Sequence, residues 1–470
     1  MELHDLPRAV SKERTLQAGQ RSSPFEAKGI ERVTPQEAHG QPESLFRLWM
    51  AANVNITTLG TGAIATTLLG LPLWKAALAI TAANFLGSLA LGLFSTYGVR
   101  YGLPMMALCE RWFGHWGNRV LSGINFLNGV SWFAVNTVVC AYALEHVLSI
   151  PPAPAIFLLA AIQILLAAVG HKLILRAGDV CFLVLVFLFS VVSALSLLPL
   201  PAGYAPAPKT GAEGAVPGAW LLTGSLALSY LGGWMLFAAD YSRYLRYESD
   251  APSIERQVFW HTFWGAFLST TWIEILGAFL GGAIRSENPT DLLFPLLPGS
   301  LHLLLAAAIV LGTISANVIN LYSAGLSLLG SGLRLPQYQA SLLVGAAGLA
   351  IALLGHRDFY HRYEGLLFLL AYLIFPRLPI LAIAHLRPRV SRIATLDTGS
   401  IGFFCWLGGV LASLPCIRQE PWFLGALAAA HPAWGDIAFL VGTAVSALLY
   451  LVLTQQERQA TAATGALPCP

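Results

Sequence analysis

Apolar runs of about 20 residues, long enough to cross a hydrocarbon layer of about 30 Å, recur along almost the whole chain. Twelve of them are expected to form membrane-spanning helices. They lie near 46–68, 75–97, 118–148, 155–170, 178–200, 219–239, 258–283, 301–328, 339–354, 365–384, 400–417 and 436–453. The runs are continuous rather than alternating with period two, which excludes an outer-membrane barrel. The Pro- and Gly-rich stretch LPLPAGYAPAPKTGAEGAVPG (198–218) separates the first five runs from the next five. An odd number of spans per half means that the second half inserts upside down relative to the first. That is the arithmetic of an inverted repeat, and a binding site is expected at the midplane between the halves.

The expected organisation follows. Residues 1–44 form a disordered cytoplasmic tail, polar and without the apolar core of a signal peptide. Residues 45–200 form the first half (helices 1–5), 201–218 an extracellular linker, and 219–385 the second half (helices 6–10). Residues 386–454 carry helices 11 and 12, and 455–470 a cytoplasmic C-terminal tail. The fold class is an all-α polytopic membrane protein.

Composition agrees with this class. Of 470 residues, 56% are hydrophobic and 11% charged, against about 25% charged in soluble domains. The net charge of +3 is dispersed, with no basic stripe for nucleic acid. Six cysteines, at 109, 140, 181, 405, 416 and 469, form no CxxC pair and read as small core residues. Of the 27 Lys and Arg, only Lys75, Lys209, Arg285, Arg357, Arg362 and Arg418 fall on the side opposite the termini. The positive-inside rule therefore puts both termini in the cytoplasm. On that side HKLILRAG (171–178) reads as a short basic interfacial segment.

Candidate chemistry lies where the spans are least suited to lipid. The first span, WMAANVNITTLGTGAIATTLLG (49–70), holds glycines, asparagines and threonines, and the sixth, GSLALSYLGGWMLFAAD (224–240), holds Gly232-Gly233 before Trp234. Breakers in the opening helix of each half suggest unwinding that frees backbone groups for a ligand. Small residues that only let helices approach closely are the alternative. In the third span GVSWFAVN gives Trp132 and Asn136 one turn apart, and in the eighth GTISANVIN gives Thr313, Ser315, Asn317 and Asn320. An indole face and an amide suit a flat heterocycle with donors and acceptors on its edge. Interhelical hydrogen bonding is the alternative for these asparagines. Glu274, in TTWIEILGAFLGG, is an ionisable group at membrane depth, which marks a proton relay or a water-filled vestibule. Asp240 and Arg243 read as structural, pairing with each other or with helix ends.

At these residues the sequence resembles the purine–cytosine permease branch of the nucleobase–cation symporter family. The motifs are WMAANVNITTLGTGAIA, NFLNGVSWFAVN, GGWMLFAADYSRYL and SANVINLYSAGLSL, in order. The resemblance implies a five-plus-five inverted-repeat (LeuT-type) core with two additional C-terminal helices, and alternating access driven by a cation gradient. It implies a ring substrate between Trp132 and Trp234, with Asn136 and Asn317 on its edge and Asn55, Thr57 and the Gly233 backbone nearby. Sodium-coupled relatives carry adjacent hydroxyl residues where this chain has Leu311 and Gly312. Hydroxyls occur only at Thr313 and Ser315, so a co-transported proton is expected rather than sodium, with Glu274, Thr313 and Ser315 as coupling candidates. No resident cofactor or metal is expected.

The expected function is import of a nucleobase (cytosine or purine) or related planar heterocycle by cation symport. The expected partners are that small molecule, the coupling cation and the lipid bilayer. The expected location is a bacterial inner membrane. Allantoin, hydantoins and hydroxymethylpyrimidine-type substrates stay open, as does an amino-acid or osmolyte symporter on the same fold. An enzyme is disfavoured because no HExxH, GxSxG or His/Asp cluster occurs at membrane depth.

Overall fold

The computed structural model describes residues 25–198, 215–245, 251–284, 286, 288–356, 359–386, 401–420 and 422–464. Among them nine helices are long and apolar enough to cross a membrane. Three further apolar segments are shorter. The first is split into α1 (Glu43–Asn53) and α2 (Ile56–Thr67). The sixth is split into α7 (Ala219–Met235) and α8 (Ala238–Ser242), and α14 (Ile401–Ser413) is short.

The first break is made by Asn55, not by glycine. Val54 leaves the helix at φ −80°, ψ 74°, and Asn55 is extended at φ −146°, ψ 171°. The Asn55 side chain then accepts from Thr57 N at 2.9 Å and Thr58 N at 3.0 Å. An asparagine in this role satisfies two donors that a new helix start leaves open. The glycines of α2 serve packing instead: a Cβ at Gly62 would overlap the Glu274 carbonyl of α9 (Ala251–Ile284). In the sixth span the helix runs straight through Gly232-Gly233 and yields only at Leu236–Phe237, where Phe237 N reaches Trp234 O at 2.9 Å. The expected glycine break therefore lies one turn later.

Between these, α3 (Leu73–Tyr101) packs on α9, and α4 (Met105–Leu148) lies along α10 (His302–Gly330). At Gly114, with φ 67° and ψ 169°, the chain leaves helical geometry, so α4 is a short helix from Met105 followed by a long one that starts close to the expected third span. Helices α5 (Pro152–Val169) and α6 (His171–Ser196) meet at Gly170. HKLILRAG forms the first turns of α6, with Lys172 and Arg176 exposed. Helices α11 (Gln337–Gly355), α12 (Phe359–Ile374) and α13 (Leu378–Leu386) follow, the last two divided by a turn containing Pro376. At the C-terminal end α14 packs on α16 (Ala438–Thr464), and a short hairpin, β1 (Arg418–Gln419) with β2 (Phe423–Leu424), precedes α15 (Ala426–Ala430). The five described cysteines are free and buried.

Of the expected disordered tail, the described residues are ordered. Residues 1–24 lie outside the described residues, as do 199–214 of the linker and 465–470 of the C-terminal tail. Residues 25–42 instead form a strap across one end of the bundle. Glu26 N bonds Ala168 O, Tyr338 N bonds Glu26 O, and Val33 N bonds Gly102 O. The Glu26 carboxylate accepts from Tyr244 OH (2.6 Å), Tyr322 OH (2.9 Å) and His171 N (2.6 Å). Arg243 does not pair with Asp240. It donates to Gly29 O at 2.7 Å and Tyr322 OH at 3.0 Å, while Asp240 accepts from Met105 N at the start of α4 at 2.9 Å. Such polar detail is invisible to hydropathy, which registers only that the segment is hydrophilic.

Candidate functional site

The break in the first span, the middle of α4 and the middle of α10 converge on one polar cluster. Thr57, in the first turn of α2, donates its hydroxyl toward Asn136 Oδ1 at 2.6 Å and also lies 2.6 Å from Asn55 Oδ1. Asn136 Nδ2 donates to Asn317 Oδ1 at 2.9 Å. Asn136, Asn317 and Thr57 thus stand in one hydrogen-bonded chain across three helices, a contact that the interhelical alternative also allows.

Asn317 is more fully engaged than the sequence suggests. Its Nδ2 lies 2.8 Å from Gln163 Oε1, 3.0 Å from Thr137 Oγ1 and 3.1 Å from Phe133 O. Its Oδ1 accepts from Asn136 and, at 3.3 Å, from Asn320. An amide has two N–H groups and two lone pairs, so Asn317 has no capacity left over. Asn55 is likewise occupied: besides capping α2 it donates to Ala52 O at 2.5 Å.

The aromatic wall comes from α4 and α7. A Cβ at Gly233 would sit 2.7 Å from Trp132 Nε1, so only glycine lets the indole lie on that main chain. The Gly233 carbonyl, however, accepts from Asn128 Nδ2 at 3.0 Å. Trp132 meets Tyr230 edge-on at 5.3 Å between centroids, whereas Trp234 meets Trp49 edge-on at 5.8 Å. Each indole thus has its own aromatic support. Trp132, Asn136 and Trp234 are buried, at 3–4% exposed.

The coupling candidates do not form one site. Glu274 is buried between α2 and α3, where Asn84 Nδ2 donates to its Oε2 at 2.8 Å. Its Oε1 has no hydrogen-bond partner among the described residues. Thr313 stands beside Cys140 of α4. Ser315, two residues on and so on the opposite side of α10, lines a small cavity of about 30 Å³ with Leu48, Ile174 and Cys181.

Four residues enter unannounced: Gln163 and Tyr230 in the polar cluster, Asn128 at the Gly233 carbonyl and Asn84 beside Glu274. Tyr230 OH lies 2.6 Å from Thr58 Oγ1, beside the cap. Gln163 did carry a signal, as the one polar side chain in the 18 residues of α5.

No group of three or more His, Cys, Asp or Glu among the described residues could hold a metal ion. A helical bundle with an interrupted first and sixth span and polar side chains gathered at the interruption is the architecture of a secondary transporter. The chain belongs to the family of permeases for cytosine/purines, uracil, thiamine and allantoin, whose profile matches residues 32–389. It is 28% identical to a putative purine-cytosine permease, YxlA, of Bacillus subtilis over 91% of this chain and 95% of that protein. It is 25% identical to the purine-cytosine permease fcyB of Emericella nidulans, covering 92% and 89%. The fold matches that of Mhp1, a nucleobase-cation-symport-1 family transporter, in a closed conformation with bromovinylhydantoin bound. The TM-score is 0.72 at 14% identity, over 93% of this chain and 97% of that one. A Na+-coupled sialic acid symporter in a substrate-bound outward-open state matches at 0.65 and 12%, over 94% and 95%. The chain is therefore an integral membrane transporter and not an enzyme.

Proposed function

We propose that this permease imports a neutral planar nitrogen heterocycle, a nucleobase such as cytosine or a purine, by proton symport and alternating access. The observation that carries this reading is the Trp132 indole lying on Gly233 one turn from Asn136. After its bonds to Thr57 and Asn317, Asn136 keeps one N–H and one lone pair. An apolar flat face beside one donor and one acceptor suits an uncharged ring better than an ammonium or a carboxylate. Relatives named as purine-cytosine permeases and the hydantoin-bound Mhp1 support the same substrate class.

Proton coupling is favoured over sodium by the surroundings of the first break. Gly312 of α10, which offers no hydroxyl, lies against the Val54 carbonyl; a Cβ there would stand 3.1 Å away. Glu274 is then the carrier of choice, and Thr313 and Ser315 are secondary. We read the nine long spans, the two interrupted ones and α14 as twelve crossings, five plus five with two C-terminal helices. Both termini are taken as cytoplasmic in a bacterial inner membrane.

The test is uptake of radiolabelled cytosine and adenine into cells expressing the parent, Asn136→Ala or Trp234→Ala, with and without a proton uncoupler and with sodium replaced. Uptake that survives the uncoupler but needs sodium refutes proton coupling. A parent that carries neither base refutes those substrates, and variants that transport normally refute the site.

A further inference from the structure

We infer that Gln163 of α5 is a positioning residue for substrate recognition. Through Asn317 it fixes which way the Asn136 amide faces, and so which ring edges the site accepts. The inference rests on the reading of Trp132 and Asn136 as the substrate site.

The geometry forms a chain of amides with one direction. Gln163 Oε1 accepts from Asn317 Nδ2 at 2.8 Å and from Thr137 Oγ1 at 3.2 Å. With Phe133 O on the same side at 3.1 Å, the nitrogen end of Asn317 is surrounded by acceptors. Its oxygen must point the other way, toward Asn136 Nδ2 at 2.9 Å. That commits one N–H of Asn136 to Asn317 and leaves its oxygen facing Thr57 at 2.6 Å. What remains for a ligand is one donor and one acceptor, side by side. A ring edge that sets an acceptor beside a donor, as in a lactam or an amidine, is its complement.

Gln163 is poorly explained as a packing residue. It is fully buried, it is the one polar side chain of its helix, and its Nε2 has no partner among the described residues. A buried polar group left unpaired is costly, so only the acceptor end of this side chain is put to use. If the acceptor is lost, one N–H of Asn317 loses its partner and the amide chain loses its fixed direction.

The experiment compares Gln163→Met, which keeps volume but removes the acceptor, with Gln163→Glu, which keeps length and an acceptor oxygen. Uptake KM and maximal rate are measured for a panel of nucleobases, hydantoins and allantoin. Gln163→Met should raise KM about tenfold, the equivalent of one lost hydrogen bond, with little change in maximal rate. Gln163→Glu should stay within about threefold of the parent. In an Asn136→Ala background Gln163→Met should have no further effect on KM, a coupling that general destabilisation would not give. Equal losses in both variants, or additive losses in the double variant, overturn the inference.

A parent that transports nothing in the panel is a failure of the function reading and is seen before any variant is compared. The inference is then decided without substrate, by NMR of side-chain NH2 groups in asparagine-labelled protein assigned with Asn136→Ala and Asn317→Ala. Gln163→Met should shift the Asn136 pair as well as the Asn317 pair. An unmoved Asn136 pair overturns it.

Discussion

The carboxylate of Glu26, on the N-terminal strap, accepts the Tyr322 hydroxyl of α10 at 2.9 Å. Tyr322 stands five residues beyond Asn317 on the same helix. One end of the bundle, closed by residues that hydropathy assigns to a tail, is thus joined through a single helix to the polar cluster at its middle.

Removing that carboxylate should loosen the strap. Glu26→Ala deprives Tyr244 OH, Tyr322 OH and His171 N of their shared acceptor. A hydrogen bond to a charged group contributes about 1.5–3 kcal/mol, and water replaces part of the loss, so a net cost of about 2–3 kcal/mol is expected. Hydrogen exchange at residues 25–42 should accelerate at least tenfold, and Tyr322→Phe should do so less. Unchanged exchange in Glu26→Ala would refute the anchoring role.

The strap should also be sensitive to pH. Burial pushes the His39 imidazole below its ordinary value of 6.5, with nearby Lys172 acting the same way and Glu37 O and Glu26 opposing. Its Nε2 meets His171 Nδ1 at 2.9 Å. The docked strap thus favours neutral His39. Docking should be fullest above pH 6.5 and weaken as pH falls below it, because the undocked state then binds the proton more readily. Exchange of residues 25–42 compared at pH 7.5 and 5.5, corrected for intrinsic rates, should show faster opening at the lower value. His39→Gln should flatten the difference.

Asn55 should behave as a cap. Asn55→Asp keeps the oxygen that accepts from Thr57 N and Thr58 N, whereas Asn55→Leu removes it. Loss of an N-cap costs about 1 kcal/mol, and more where water cannot replace it. Asn55→Leu should weaken transport and lower the apparent Tm of purified protein more than Asn55→Asp, which keeps the cap but loses the bond to Ala52 O. Equal stability of both would argue that the side chain does not hold the break.

Gly62→Ala should be far more damaging than an ordinary glycine-to-alanine change. The added methyl would overlap the Glu274 main chain, which cannot swing aside as a side-chain end can. Overpacking of this kind costs about 1–3 kcal/mol or more. Gly224→Ala, where nothing lies within 4 Å, is the control. Membrane expression and Tm of the two variants read the difference directly.

Glu274→Gln keeps an acceptor for Asn84 and the same volume, but cannot carry a proton. Substrate counterflow should remain within about threefold of the parent, as expected when no contact to the ring is lost. Accumulation driven by a proton gradient should disappear. Persistence of gradient-driven accumulation would remove Glu274 from the coupling step.

The sequence by itself determined that the chain is a bundle of membrane helices. Long apolar runs need hydrogen bonds inside each segment once no water is present, so composition leaves little choice. The family resemblance, carried by four motifs, implied one site for Trp132, Asn136 and Asn317, of which the structure bonds Asn136 to Asn317. Tertiary structure alone decided how those groups are used. It assigned the break to Asn55 and the α2 glycines to packing, since both roles draw on the same residue types and only the neighbouring backbone distinguishes them. It exhausted Asn317 on Gln163, Thr137 and Phe133. It separated Thr313 from Ser315 by their faces on α10, and it docked residues 25–42. Hydrogen-bond partners far apart in sequence depend on distances of tenths of an ångström, which a pattern of apolar and polar positions does not carry.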